Sequence, residues 1–566
     1  MNAEQLLQHF ERISEAPDAI PRLRRFILDR AVRGKLVEQE PSDEPAAELL
    51  KRIAAEKARL VNAGKIKAKP SLAEVTDDQA PYMLPSSWQW VRFTNIVDFS
   101  AGRTPSRNEP KFWNSGEYHW VSIGDMEGGQ VLTATKETVS RDAREQVFGS
   151  EPEGPGTIIM SFKLTIGKIA RLGIPAFHNE AIISIRPHIG DLDAYLFKVL
   201  PQFARQGDTK GAIKGATLNR ESISNIFFPL PPLAEQYRIV AKVDELMSVC
   251  DQLEAAKAER EQCRDSLVAA SLQGLNQPAK EEATFREHAH FTFNNLQRIT
   301  TKAVHIKQLR QTILNLAVRG KLVEQDPGNS INSFPPCLFG PATECDQIPV
   351  TWLYVPLSSL LREDTRNGYS RKPDDAKDGV PILRISAGTA RGDGLVAEEE
   401  YKLISGIDSV LLSQYQVLPG DLFACRFNGN KAYVGRLTLF TGYLSKQFIY
   451  PDKLIRIRLA AEIAYPLFLR WISSADLVRD EIESKCATTV GNWGISAGRL
   501  KSCFFPLPPL AEQQRIVAKV AELMAICDQL ESQITATEQD SRRFLESVLA
   551  DALAPGIDLR EVAEVA

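Results

Sequence analysis

The residues best suited to chemistry in this sequence are suited to binding. The run AGRTPSRNEPKFWNSGEYHW places Arg103, Thr104, Arg107 and Lys111 beside Trp113 and Trp120. Basic groups at such spacing suit phosphates, and guanidinium and amide groups suit the base edges of double-stranded DNA. Lys163 and Lys168 follow. The glycine-rich run GDTKGAIKGATLN then carries Lys210, Lys214 and Thr217, and its small residues would let backbone hug a nucleic-acid strand. In the second half, LREDTRNGYSRKP supplies Arg362, Arg366, Asn367, Tyr369, Arg371 and Lys372. CRFNGNK supplies Arg426, Asn428, Asn430 and Lys431, and CATTVGNWG supplies Thr488, Thr489, Asn492 and Trp493. Any one of these is most simply a solvated surface group. Clustered in loops between apolar strands such as TIIMSF and DKLIRIRL, they make a candidate DNA surface.

Residue sets for bond making do not appear. The seven histidines form no HExxH motif and no zinc-type cluster with cysteine. His288 and His290 are spaced to point apart on a helix. There is no GxxxxGK[ST] phosphate loop, no GxSxG elbow, no glycine-rich AdoMet loop and no Asn-Pro-Pro-Tyr element. The Pro231–Leu233 and Pro508–Leu510 runs lack the amide and aromatic that amino methylation needs. Asp374-Asp375-Ala376-Lys377 superficially matches a nuclease cluster, but it sits in a polar stretch without a strand pattern and reads as a solvated loop. The chain is expected to be non-catalytic and to bind no metal or cofactor itself.

Composition fits that reading. A chain of 566 residues holds roughly three to five domains. No run of about 18 apolar residues exists, so no membrane span is expected. MNAEQLLQHFERIS lacks a basic segment followed by an apolar one, so no secretory leader is expected. The eight cysteines include no CxxC pair and read as free thiols of a reducing cytoplasm. The net charge of −4 excludes a small basic nucleic-acid binder but not local basic patches. Residues 85–226 carry 16 basic against 15 acidic groups and residues 330–503 carry 20 against 19, whereas residues 504–566 carry 5 against 11. The acidity therefore sits at the C-terminal end, and the two blocks with the contact residues are each +1.

The elements that must position these residues are written twice. FFPLPPLAEQYRIVAKVDELMSVCDQLEA at 227–255 returns as FFPLPPLAEQQRIVAKVAELMAICDQLES at 504–532 with five differences in 29 positions. AVRGKLVEQ occurs at 31–39 and again at 317–325. Between these lie weaker echoes in the same order: LPSSWQWV with IPVTWLYV, GTIIMS and IGK with GDLFAC and VGR, and ISIR with IRIR. Drift after duplication would erode all segments alike. Near-identical frames around divergent blocks instead imply one job done twice and a similar job done on two different targets.

The repeated segments read as helices with a seam. Ile239, Val243, Leu246, Cys250 and Leu253 recur at heptad spacing, as do Ile516, Val520, Leu523, Cys527 and Leu530. Each series follows a PLPP element that pre-sets a helix start, and the helices are expected near 235–275 and 512–553. The simplest cover for the two seams is each other, in an antiparallel coiled coil; packing on their own blocks is the alternative. Leu296, Ile299, Ile306, Leu309 and Ile313 line a second helix that leads into the later AVRGKLVEQ. The first copy departs from this pattern at Pro17 and Pro21, where its helix is expected to be broken or to begin. AAELLKRIAAEKARL is an extra amphipathic helix of the first half.

The tandem PLPPLAEQxRIVAKV…ELM…CDQLE with the tandem AVRGKLVEQ resembles the specificity (S) subunit of a type I restriction–modification system over nearly the whole chain. The resemblance implies an α+β chain with an internal two-fold repeat, in which two mixed α/β target-recognition domains are separated by long conserved helices forming an antiparallel coiled coil. It implies a helical region at 1–84, recognition domains at 85–226 and 331–503, a central helical region at 227–330 and a final helix at 504–566. Each recognition domain would read one half of a split DNA site, and the helices would set the gap. Partners implied are double-stranded DNA, two modification subunits that hold AdoMet and methylate adenine, and restriction subunits that use ATP and magnesium. A stand-alone bipartite DNA-binding regulator is the competing reading. Near-neutral recognition blocks also imply weak electrostatic attraction to DNA until the modification subunits add basic surface.

Overall fold

A computed structural model describes residue 16 and residues 18–67, 75–203, 210–212, 215–217, 220–276, 282–326, 348–374, 377–389, 391–489 and 491–553. The chain divides into two compact units, residues 1–258 with 538–566, and residues 259–537.

In the first unit the AVRGKLVEQ segment ends helix α1 (Ala19–Val32). Pro21 lies in its first turn, where a missing N–H costs nothing, so it marks the start of this helix; Pro17 lies outside the described residues. The extra amphipathic segment is helix α2 (Ala46–Asn62), which buries Leu49 and Ile53. A five-stranded sheet follows in the spatial order Val97–Ala101, Ile182–Pro187, Ile158–Ser161, Ile169–Leu172, Val131–Leu132. Its two central strands, Ile158–Ser161 and Ile182–Pro187, are largely apolar because both faces are covered: Ile158, Ile159, Met160, Ile182, Ile183 and Ile185 are all buried. Helix α3 (Asp193–Phe203) adds Tyr195, Leu196, Val199, Leu200 and Phe203 to the same core. The chain leaves through strand Phe227–Leu230, which pairs antiparallel with the incoming strand Gln89–Arg92. The prolines after Leu230 end that strand and open helix α4 (Leu233–Asn276).

The second unit repeats this plan. Helix α5 (Ala303–Val318) carries the second AVRGKLVEQ into its C-terminus. The central sheet runs Leu361–Asn367, Leu454–Leu459, Leu422–Cys425, Leu437–Leu439. Leu454–Leu459 carries the echo IRIR, Leu422–Cys425 ends GDLFAC, and VGR directly precedes Leu437–Leu439, in the same spatial order as their counterparts in the first unit. Strand Phe504–Leu507 pairs with Leu353–Pro356 and leads into helix α6 (Leu510–Leu553).

Each seam is covered inside its own unit. Ile239, Val243 and Cys250 are buried in one core with Ile20, Leu23, Ile27 and Ala31 of α1, and Leu246 and Leu253 pack at its margin. Ile516, Val520, Leu523, Cys527 and Leu530 are buried with Ile306, Leu309, Ile313 and Ala317 of α5. Of the two covers expected for the seams, packing within the same unit holds at these positions, because heptad spacing requires a covered stripe without naming the helix that covers it. The remaining half of each long helix joins the core of the other unit. Leu549 near the end of α6 packs on the core that holds Cys250, and Val268, Leu272 and Leu275 near the end of α4 join the core that holds Ile516. Ion pairs repeat as well: Arg24 meets Asp251 and Glu254, and Arg310 meets Asp528 and Glu531 at 2.8 and 2.7 Å.

No helix among the described residues is long and apolar enough to cross a membrane. The architecture is α+β with an internal repeat: two mixed blocks, each rooted in a two-stranded ribbon at the start of a long helix.

Candidate nucleic-acid interface

The glycine-rich lysine run of the first half is a β-hairpin rather than an irregular loop. Lys210–Ala212 pairs with Gly215–Thr217, and that strand pairs in turn with Lys163–Leu164. Lys163, Thr217 and Lys210 are successive cross-strand partners in one row of this small sheet. Lys214 lies outside the described residues. The second half builds the same device: Ala487–Thr489 pairs with Asn492–Gly494, which pairs with Phe427–Asn428. Asn428, Trp493 and Thr488 form its row, and Asn492 stands opposite Thr489 at the tip. Residues up to 54 positions apart in the first block and up to 67 in the second are thus gathered into one short sheet in each block.

Cations and aromatic rings surround the second of these sheets. The Lys431 ammonium sits 4.9 Å from the Trp493 ring centre and 3.6 Å from Glu483. Arg426 lies 4.8 Å from the centre of the Phe427 ring and Lys453 lies 5.2 Å from it. Arg426 also donates to the Asp452 carbonyl, and its backbone carbonyl accepts from Ile495, which ties the sheet to the main strand. Lys453 was not a sequence candidate because it opens DKLIRIRL, which reads as an apolar strand. In the first block the Lys163 ammonium lies 5.3 Å from the Phe162 ring centre.

The other candidates of the first block are engaged within the chain. They surround a second sheet, Glu137–Val139, Trp113–Val121 and Ala176–His178. Arg107 stacks 3.8 Å from the Trp113 ring centre and pairs through both terminal nitrogens with Glu137. That guanidinium holds the Glu137 carboxyl below its ordinary pKa. Thr104 donates to Glu180, Arg103 donates to the Val147 carbonyl, and Lys111 donates to Gln146 at 3.2 Å. The sequence run therefore folds back on its own sheet, and only donors left over from these bonds could meet a ligand.

In the second block Arg366 and Asn367 end the edge strand Leu361–Asn367, opposite Arg456 and Ile455. Tyr369 follows, with its ring 5.4 Å from that of Tyr415 and its N–H donating to Tyr450. The carbonyl of Tyr369 accepts from the N–H of Asp452, whose own carbonyl accepts from Arg426. The Pro451–Lys453 turn thereby brings the Asn367–Tyr369 segment beside Arg426. Arg371 is held apart by Ser405 and Asp374. Asp374 accepts from the N–H of Ser405, a turn-fixing role, while 375 and 376 lie outside the described residues. No group of three or more His, Cys, Asp or Glu side chains among the described residues is placed to hold a metal ion.

Comparison with known proteins fits this geometry. Residues 85–260 match the family described as type I restriction modification DNA specificity domain. The chain is 30% identical over 483 residues to the type I restriction enzyme EcoKI specificity subunit of Escherichia coli strain K12, covering 83% of this chain and 89% of that one. It is 28% identical over 581 residues to the EcoEI specificity subunit of Escherichia coli, covering 94% and 93%. Among solved structures, the HsdS subunit from Thermoanaerobacter tengcongensis aligns over 84% of this chain and 99% of its own, at 19% identity and a TM-score of 0.41.

Proposed function

The chain belongs to the specificity subunits of type I restriction enzymes, and from that premise we propose how its two blocks divide the work. Residues 85–226 read one half of a split DNA site and residues 331–503 read the other. The single observation that carries this reading is the doubled three-stranded sheet, which sets Lys163, Thr217 and Lys210 in one row of the first block and Asn428, Trp493 and Thr488 in the second. The same device with different residues suits two different sequences read in the same way. Lysines of the first row suit phosphates; the amide, hydroxyl and aromatic groups of the second suit base edges.

The chain contributes recognition and no catalytic step. We assign AdoMet binding and adenine methylation to two modification subunits, recruited by the repeated helices, and ATP- and magnesium-dependent cleavage to restriction subunits. The setting proposed for the assembly is cytoplasmic. The repeated frame supports two identical partners, because the near-identical segments offer one surface twice.

The test is to co-express the chain with the modification subunit of its own system and map adenine methylation across the host genome. A split motif with a fixed gap, absent without this chain, is the expected result. No new methylation from an intact complex would overturn the reading.

A further inference from the structure

Two buried carboxylates hold the roots of the two blocks, and neither takes part in the DNA surface. Glu235, in the first turn of α4, is 1% exposed, and Glu512, in the first turn of α6, is 2% exposed. Glu235 accepts from the indole N–H of Trp88 at 2.8 Å and from the side-chain amide of Gln39. Glu512 accepts from Trp352 at 3.0 Å and from Gln325 at 2.7 Å. Each glutamine amide also donates to the carbonyl of the glycine that ends the preceding helix, Gly34 or Gly320. Each glutamine carbonyl accepts from the residue before the tryptophan, Ser87 or Thr351, at 3.1 and 3.0 Å. One clasp therefore joins three segments far apart in sequence: the AVRGKLVEQ turn, the strand that enters the block, and the long helix that leaves it.

A buried carboxylate is a costly way to gain stability, because desolvation offsets much of what its hydrogen bonds return. Burial does push both Glu235 and Glu512 above the ordinary carboxylate pKa. An apolar contact of the same volume would hold these segments together as well. Hydrogen bonds to a carboxylate add direction, since both the donor and the oxygen must align. The root is also linked by two short ribbons, Gln89–Arg92 with Phe227–Leu230 in the first block and Leu353–Pro356 with Phe504–Leu507 in the second, and by Arg238 on Asp43 and Gln513 on the Ile463 carbonyl. Two-stranded ribbons twist easily. An error of one base pair in a DNA site is about 3.4 Å along the axis and roughly a tenth of a turn. Fixing a block that finely needs a directional bond at its root.

We propose that Glu235 and Glu512, with Trp88 and Trp352, are positioning residues that fix the pose of each recognition block on its long helix and so restrict the gap between half-sites that the assembled enzyme accepts. This rests on the functional reading above. Clasp loss leaves each block's bases unread by anything new; it alters only which gaps are tolerated.

The test uses the full chain assembled with its modification subunits, and genome-wide methylation as readout. For each variant the methylated fraction at sites whose gap is one base pair longer or shorter is divided by that at sites of native gap. W88F, W352F and E235Q are expected to raise this ratio about tenfold while the half-site bases stay unchanged. Q39A, which removes one donor at an exposed residue, is the milder variant if W88F does not fold, and is expected to raise the ratio in the same direction. I185A, a change in the main sheet of the first block where Ile185 pairs with Phe99 and Ile158, supplies the comparison for general loosening of the core and is expected to leave the ratio unchanged. A ratio within twofold of the parent in all folded clasp variants overturns the proposal. So does an equal rise in I185A, which would make the effect one of general loosening. A parent that shows no split motif overturns the functional reading, and the inference falls with it.

Discussion

The indole N–H of Trp88 donates to Glu235 at 2.8 Å across 147 positions of sequence, and Trp352 repeats the bond to Glu512 at 3.0 Å across 160. The two bonds are not identical in detail. In the first clasp the donors take separate oxygens, Trp88 on Oε2 and Gln39 on Oε1. In the second, Trp352 and Gln325 share Oε1.

That difference gives the first prediction. A glutamine has one acceptor oxygen, so E512Q can keep both bonds, whereas E235Q must set an NH2 group against a donor. Gln39 cannot turn to compensate without losing its bond to Gly34. E235Q is expected to destabilise the chain by about 1–3 kcal/mol more than E512Q. Denaturant titration of the two variants against the parent measures this, and equal losses would contradict the geometry.

Gly34 and Gly320 both hold a φ of +66°, and a Cβ at either would lie 2.4 Å from the ring of the proline before its tryptophan, Pro85 or Pro349. G34A and G320A therefore meet both backbone strain and a steric clash and are expected to cost about 1–3 kcal/mol each. Gly64 has a φ of +68° with nothing within 4 Å, so G64A isolates the backbone share and is expected to cost about 1 kcal/mol. Thermal denaturation of the three variants checks the order.

Much of this frame was legible because periodicity specifies it. The 4-and-3 spacing from Ile239 fixed a helix that runs Leu233–Asn276, and AAELLKRIAAEKARL lies within Ala46–Asn62. Spacing could not say that α1 and α5 cover the first half of each seam, since it describes one surface and not its partner. The lysine run GDTKGAIKGATLN hid its hairpin because three-residue strands of glycine, alanine and lysine show no apolar alternation. Arg107 looked free because Glu137, its partner, is 30 residues away. The clasp left a signal that went unused: Gln39, Trp88 and Glu235 each recur in the second half, and polar residues that persist with an apolar frame usually bond to one another.

Glu363 predicts a pH dependence. It accepts from Arg458 at 2.9 and 3.1 Å and from the buried Arg456 at 3.1 Å, and the Arg458 bond first of all holds its carboxyl below the ordinary value of 4.5. A depressed carboxyl contributes stability above its unfolded value and loses it as pH falls through the folded one. The parent is expected to be more stable than E363Q at neutral pH. The difference should shrink below about pH 4.5, where the unfolded carboxyl begins to take up its proton. A difference that stays constant from neutral to acid pH would exclude this ion pair as its source.

The row Asn428, Trp493, Thr488 predicts an effect confined to one half-site. N428A and T488A are expected to relax discrimination by about 1–3 kcal/mol at bases of the second half and none at the first. Methylation profiles of the assembled enzyme show which half changes. Equal relaxation in both halves would argue that this sheet shapes the fold and does not read sequence.

Lys453 predicts the complementary behaviour. It sits by the Phe427 ring at the margin of the row, 3.9 Å from Asp452, and a lysine there suits a phosphate more than a base. K453A is expected to weaken binding to all sequences alike and to lower the slope of log affinity against log salt by about 0.9. The recognition blocks are each close to neutral, +1 over residues 85–226 and +1 over 330–503, so the lone chain has few such contacts to lose. Its salt dependence should be shallow, and assembly with the modification subunits should steepen it while raising affinity. Titrating one duplex at several salt concentrations, with and without those subunits, measures both terms. Equal affinities and slopes in the two states would mean that the chain carries the phosphate contacts itself.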